Sequence, residues 1–188
     1  MSDLKLELRA RRDRLGLKGP RAAEWLAAQG IDLPATPNTW THSGAAIAAD
    51  ALLVARLGTA EFFLEDGTAG TTLKRMSPAL DKNPPGVYPV LREDWTFRLR
   101  GERVHDVLAQ VCNVNFAALS LDSRPLIMTL MIGVAVLVVP QSGLGGGSDG
   151  AAERHYRIWC DPTFGPYLGE SLGAVVVECG GRYTGVSG

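Results

Sequence analysis

Two stretches of the chain nearly copy one another. RLGLKGPRAAEWLAAQG (14–30) aligns with TFRLRGERVHDVLAQVC (96–112). Leu17 meets Leu99, Lys18 meets Arg100, Gly19 meets Gly101 and Arg21 meets Arg103; Glu24 meets Asp106, Leu26 meets Leu108 and Ala27 meets Ala109. Each copy reads as a strand, a glycine and then an amphipathic helix. Ala22, Trp25 and Leu26 form the apolar stripe of one helix, and Val104, Val107, Leu108 and Val111 that of the other. These are the spacings that place side chains on one buried face. Pro20 suits a first helical turn. The repeat constrains the fold more than any other feature, because a strand–glycine–helix unit met twice calls for two halves of the same kind.

The pattern continues beyond the matched letters. After the first helix, ALLVARLGTAEFFLED reads as two strands with a turn near Gly58-Thr59, TTLKRMSPAL as a helix and GVYPVLRE as extended. After the second, PLIMTLMIGVAVLVVP and HYRIWCD read as strands. PTFGPYLGESLG then reads as a helix ending at Gly173, and AVVVECG as a closing strand. Each half is therefore expected to run β-α-β-β-α-β, the ferredoxin-like order, which gives an α+β protein with helices on one face of an antiparallel sheet. The halves are placed at 14–91 and 92–180, after a basic N-terminal segment (1–13) and before a C-terminal tail (181–188), in one compact unit.

The repeat also decides how QSGLGGGSDGAAERHY is read. Gly145, Gly147 and Gly150 spell G-x-G-x-x-G after an apolar run, which suggests a dinucleotide turn. A dinucleotide fold needs a helix after the glycines. Here only AAERHY precedes the next strand, and by the internal repeat the run falls where the first half has a hairpin turn. The expectation is a hairpin loop between Val139 and His155, with a partner-contact loop as the alternative.

Composition removes several function classes. Lysine plus arginine number 19 and aspartate plus glutamate 20, so a general nucleic-acid role is not expected. The apolar run Leu126–Pro140 is too short to span a bilayer, and MSDLKLELRARRDR carries acids and no apolar signal core. Both point to a cytoplasmic protein without a membrane partner. Cys112, Cys160 and Cys179 show no paired spacing, and His42, His105 and His155 are scattered, so no metal site is expected. Cys112 reads as a small buried hydrophobe and His105 as a solvated residue on the outer side of its helix. Residues 1–21 hold seven basic side chains against Asp3, Glu7 and Asp13. That excess reads either as a solvated edge or as a docking segment, with Arg9, Arg11, Arg12 and Arg14 as the partner-contact candidates.

A family resemblance rests on LGLKGPRAAEWLAAQGIDLPATPNTW, VARLGTAEFFLEDG, DWTFRLRGERVHDVLAQVCNVNF and HYRIWCDPTFGPYLGESL. Their order and spacing resemble the folate-binding aminomethyltransferase superfamily, which includes the glycine cleavage T-protein. More narrowly, they resemble the gamma subunits of heterotetrameric sarcosine oxidases. The resemblance implies the T-protein-like folate-binding-domain fold. It also implies a chain partnered by larger flavoprotein subunits, with FAD, FMN, NAD and tetrahydrofolate on those subunits and no cofactor on this chain. Catalytic members carry an aspartate in the strand that here reads GVAVLVVP, a run with no carboxylate. No catalytic residue is therefore expected.

Two functions follow. One is a non-catalytic subunit of a flavin-dependent complex that oxidatively demethylates an N-methyl amino acid and passes the carbon to tetrahydrofolate. The other is a free-standing folate-binding module. A folate cleft needs a carboxylate for the pterin ring and an arginine for the glutamate tail. Glu61, Trp95 and Arg98 are its candidate residues.

Overall fold

The computed structural model describes residues 3–44, 51–68, 70–142 and 154–185. In chain order the elements begin with β1 (Lys5–Leu8), β2 (Arg14–Lys18), α1 (Ala22–Ala28), β3 (Thr39–Ser43), β4 (Leu52–Gly58) and β5 (Glu61–Glu65). There follow α2 (Thr72–Leu80), β6 (Tyr88–Val90), β7 (Trp95–Arg100), α3 (Val104–Val111) and β8 (Ile127–Met131). The last are β9 (Val134–Ser142), β10 (Arg154–Cys160), α4 (Gly165–Glu178) and β11 (Arg182–Thr184). Instead of one compact unit the chain forms two: a continuous unit of residues 12–93, and a split unit made of residues 1–11 and 94–188.

The continuous unit has the sheet order β3-β4-β5-β2-β6, antiparallel throughout. Alternation along the strands sends Leu17, Leu52, Val54, Phe62 and Leu64 to the face that meets Leu26 of α1 and Leu73 and Met76 of α2. Buried Asp66 accepts a hydrogen bond from the Leu73 backbone N–H (3.0 Å), satisfying one of the open donors at the start of α2.

The split unit has the order β11-β1-β7-β10-β9-β8; β1 and β11 are parallel and every other pair is antiparallel. Its core joins Leu4 and Leu6 to Phe97, Leu99, Tyr156, Ile158, Val136 and Val138, under α3 and α4. The expected N-terminal segment is thus corrected. Residues 5–8 are a strand inside a sheet, because KLEL alternates, with Leu6 buried and Leu8 partly buried on the core side.

The repeated segments have the same local structure. Gly19 (φ +125°) and Gly101 (φ +120°) each end a strand, and their carbonyls accept from Ala22 N (3.0 Å) and Val104 N (3.1 Å) at the starts of α1 and α3. Arg21 pairs with Glu24 as Arg103 pairs with Asp106, both at i,i+3. A Cβ at Gly19 would strike the Gly86 carbonyl, and one at Gly101 would lie 2.6 Å from Leu4 Cα. In each unit that neighbour leads into the strand beside the repeat: β6 pairs with β2, and β1 with β7.

Three other expectations change. AVVVECG is not a strand, because α4 runs on to Glu178 and stops at Gly180 (φ +80°). Gly180 N bonds Val177 O (2.9 Å) and Gly181 N bonds Val176 O (2.8 Å), the paired closure of a Schellman motif. Gly173 does not end the helix; with Gly165 and Gly169 it forms a stripe facing Trp95, Phe97 and Tyr183. PLIMTLMIGVAVLVVP is not one extended run, since Ile132 (φ +50°) and Gly133 (φ +80°) turn β8 back onto β9. A β-branched residue is costly there. Tertiary contacts hold it, because the Ile132 N–H reaches Val111 O (3.0 Å) and its side chain packs on the core. The glycine run falls outside the described residues; its flanking strands pair with Ser142 opposite Arg154.

Gly165→Ala is expected to lower the melting temperature by several degrees. The added methyl meets the Trp95 ring across a close helix–sheet contact, and overpacking of this kind costs about 1–3 kcal/mol. Gly58→Ala, whose added Cβ meets only Glu61 Cβ at 3.8 Å, serves as the comparison in calorimetry.

Candidate functional site

The richest group of chemically active side chains lies on the face of the split unit's sheet opposite its helices. Strand alternation and register place Lys5 and Glu7 of β1, Thr96, Arg98 and Arg100 of β7, and His155, Arg157 and Trp159 of β10 there. Gln141 of β9 stands opposite His155. Arg100 lies 3.6 Å from Glu7, and the Arg157 guanidinium sits 5.7 Å from the centre of the Trp159 ring. Trp159 is buried, while Arg98, Arg100 and Arg157 are half-buried.

His155 reports the field of this face. Its Nε2 lies 2.9 Å from Gln141 Oε1, and its buried Nδ1 has no hydrogen-bond partner among the described residues. The arrangement fits a neutral ring with the proton on Nε2, donated to Gln141. Burial first, then the charges of Arg98, Arg157 and Arg100, push its pKa down to about 3. His155 therefore stays uncharged at neutral pH beside three guanidinium groups.

Other titratable side chains of the same unit are held in the interior. His105, expected in solvent, is half-buried with Nε2 2.6 Å from the Tyr156 hydroxyl. The Tyr156 hydroxyl it meets also has Arg154 as a hydrogen-bond partner. Burial and Arg154 lower the His105 pKa, and burial raises that of Tyr156. Cys160 is buried, and its thiol is pushed up to about 12 by burial and by Asp94 and Asp161. Cys112 is buried with Sγ 3.6 Å from Thr129 Oγ1. Among the described residues no three His, Cys, Asp or Glu side chains are grouped to hold a metal ion.

The sequence-derived candidates fall in separate places. Arg98 belongs to the arginine face, but Trp95 points to the other side of the same strand, against Phe97 (ring centres 6.3 Å apart) and Gly165. Glu61 begins β5 in the continuous unit and pairs with Lys18 at 3.3 Å. Neither unit gathers the three into one pocket. Arg9 and Arg11 are exposed, and Arg12 reaches Thr68 Oγ1 (3.4 Å). Arg14, expected at a partner surface, is corrected to an interior position: its Nε lies 2.6 Å from Glu65 Oε2, with side-chain exposures of 1% and 2%. Arg100, Arg157 and His155 were missed as site residues, although period-two alternation in WTFRLR and RHYRIWC puts each on one strand face with Arg98 or its neighbours.

Two outcomes follow. His155 has a lowered folded pKa, so its contribution to stability is complete above about pH 6.5 and is lost as pH falls toward 3. Between pH 6.5 and 5 this adds a slope of at most about 1.4 kcal/mol per pH unit. Thermal melts across that range are expected to be flatter for His155→Gln than for the wild type. Arg14→Met removes the 2.6 Å ion pair of buried Glu65 and is expected to cost about 3–5 kcal/mol in chemical denaturation, most of it recovered in Arg14→Met/Glu65→Met.

No family model matches the sequence, and no curated protein does. Solved structures do share its fold. A chain of the heterotetrameric sarcosine oxidase from Corynebacterium sp. U-96, in complex with pyrrole 2-carboxylate, superposes with a TM-score of 0.66 at 23% identity, over 92% of this chain and 83% of that one. The glycine cleavage system aminomethyltransferase T from Bartonella henselae superposes with a TM-score of 0.64 at 16% identity over 98% of this chain. This chain spans 48% of the aminomethyltransferase's length. The α+β fold is therefore the one seen in those proteins.

Proposed function

We propose that this chain is a non-catalytic, gamma-like subunit of a flavin-dependent complex of the sarcosine oxidase type. The observation that carries the proposal is reciprocal coverage. The fold accounts for 83% of a chain in a heterotetrameric oxidase but for only 48% of the glycine cleavage system aminomethyltransferase. The site chemistry supports the same reading. β9 carries no carboxylate, His155 is held neutral and Cys160 is held as a thiol.

In this reading the complex oxidatively demethylates an N-methyl amino acid and passes the carbon to tetrahydrofolate. Larger flavoprotein subunits hold FAD, FMN, NAD and tetrahydrofolate, and this chain binds none of them. No helix among the described residues is long and apolar enough to cross a membrane. The complex is proposed to work in the cytoplasm. A second reading, a free-standing folate-binding module, draws on the arginine face, which suits the carboxylates of a glutamate tail.

Affinity purification of the tagged chain from its own cells is expected to bring down flavin-containing subunits. The recovered complex is expected to oxidise an N-methyl amino acid, and the chain alone is expected to show no heat on calorimetric titration with tetrahydrofolate. A chain that elutes alone and binds tetrahydrofolate establishes the second reading in place of the first.

A further inference from the structure

Helix α4 has two unlike faces. Its inner face carries the glycines that touch Trp95, Phe97 and Tyr183. Its outer face is unusually apolar for a surface. Among the described residues seven large hydrophobic side chains are exposed, and three of them belong to α4 or its N-cap: Phe164 (50%), Tyr167 (51%) and Val177 (58%). Tyr167, Glu170, Ala174 and Val177 follow one another at steps of three and four, so they share a stripe along the helix. Ala174 and Glu170 are exposed with them, and Glu178 follows Val177.

The charges on this face have one sign. GPYLGESLGAVVVE contains two glutamates and no lysine or arginine, and exposed Asp161 precedes it. Of the basic side chains near its far end, Arg103 is engaged with Asp106 (2.8 Å) and the Cys179 carbonyl (2.8 Å), and Arg182, exposed, lies beyond the helix in β11. A helix that exposes two aromatic rings and a valine among carboxylates suits a partner with an apolar recess and a cationic rim.

We propose that the outer face of α4, with Phe164, Tyr167 and Val177 set among Glu170 and Glu178, is the surface by which this chain docks onto a larger subunit through an apolar recess rimmed by lysine or arginine. The inference rests on the subunit reading above and adds the place of contact and the chemistry of the partner. The aromatic side chains fill the recess and supply most of the affinity, while the glutamates align with the rim and add salt dependence.

The test uses the full chain and the flavoprotein that co-purifies with it. Tyr167→Lys and Val177→Lys are expected to weaken assembly at least tenfold, measured by interferometry, with unchanged melting temperatures for the isolated chains. Glu170→Lys is expected to weaken assembly at low salt and to approach the wild type at high salt. Hydrogen exchange of residues 164–178 is expected to slow in the complex. Wild-type assembly matched by all three variants, with no protection of α4, overturns the surface assignment and leaves the subunit reading standing. A wild-type chain that assembles with no flavoprotein overturns both. A homodimer of this chain that Tyr167→Lys dissolves overturns the assignment in favour of a second copy as the occupant.

Discussion

The split unit depends on the insertion of β1 between β7 and β11. Among the described residues β11 pairs with β1 alone, so its place in the sheet rests on β1. Leu4 and Leu6 are fully buried, and Gly101 and Gly181 both pack against Leu4. The Glu102 N–H bonds Asp3 Oδ1 (3.1 Å), tying the strand entry to the turn that starts α3. A short alternating segment from the beginning of the chain thus organises elements about a hundred and more residues later. Such contacts are slow to form, because loop closure must precede the burial that rewards it.

Once that sheet exists, its two faces take different roles through alternation alone. One face buries leucine, phenylalanine, isoleucine and valine beneath α3 and α4. The other gathers Arg98, Arg100, Arg157 and His155 from two neighbouring strands. Burial first, and then the guanidinium groups nearby, make a protonated imidazole unfavourable, and the pKa of His155 falls. Burial and this field together leave the histidine uncharged near neutral pH.

Helix α4 shows how one sequence serves packing and surface together. Glycine at 165, 169 and 173 lets the backbone approach the ring of Trp95, the ring of Phe97 and Tyr183, which longer side chains would hold away. That close approach leaves the opposite side facing outward with Tyr167 and Val177. Glycine in a helix costs conformational entropy, here offset by the contacts that its small size allows.

By itself the sequence determined the local grammar of both units. The glycines at 19 and 101, the helical stripes that follow them and the alternating strands all express short-range sterics and periodicity, which act over a few residues. It also carried the features of the candidate site that depend on residue type, such as the arginines at 98, 100 and 157. Tertiary structure decided the rest. The valines of AVVVECG favour a strand locally, yet helix packing on Trp95 and Phe97 and the Gly180 stop make them helical. Ile132 sits in a turn that its own propensity opposes because Val111 and the core hold it. Arg14 looks like one more surface arginine until β5 brings Glu65 opposite it. Trp95 and Arg98 lie three residues apart, and only a strand's alternation sends them to opposite faces. In each case the deciding contact lies far along the chain or depends on which element forms, and short-range propensity contains neither.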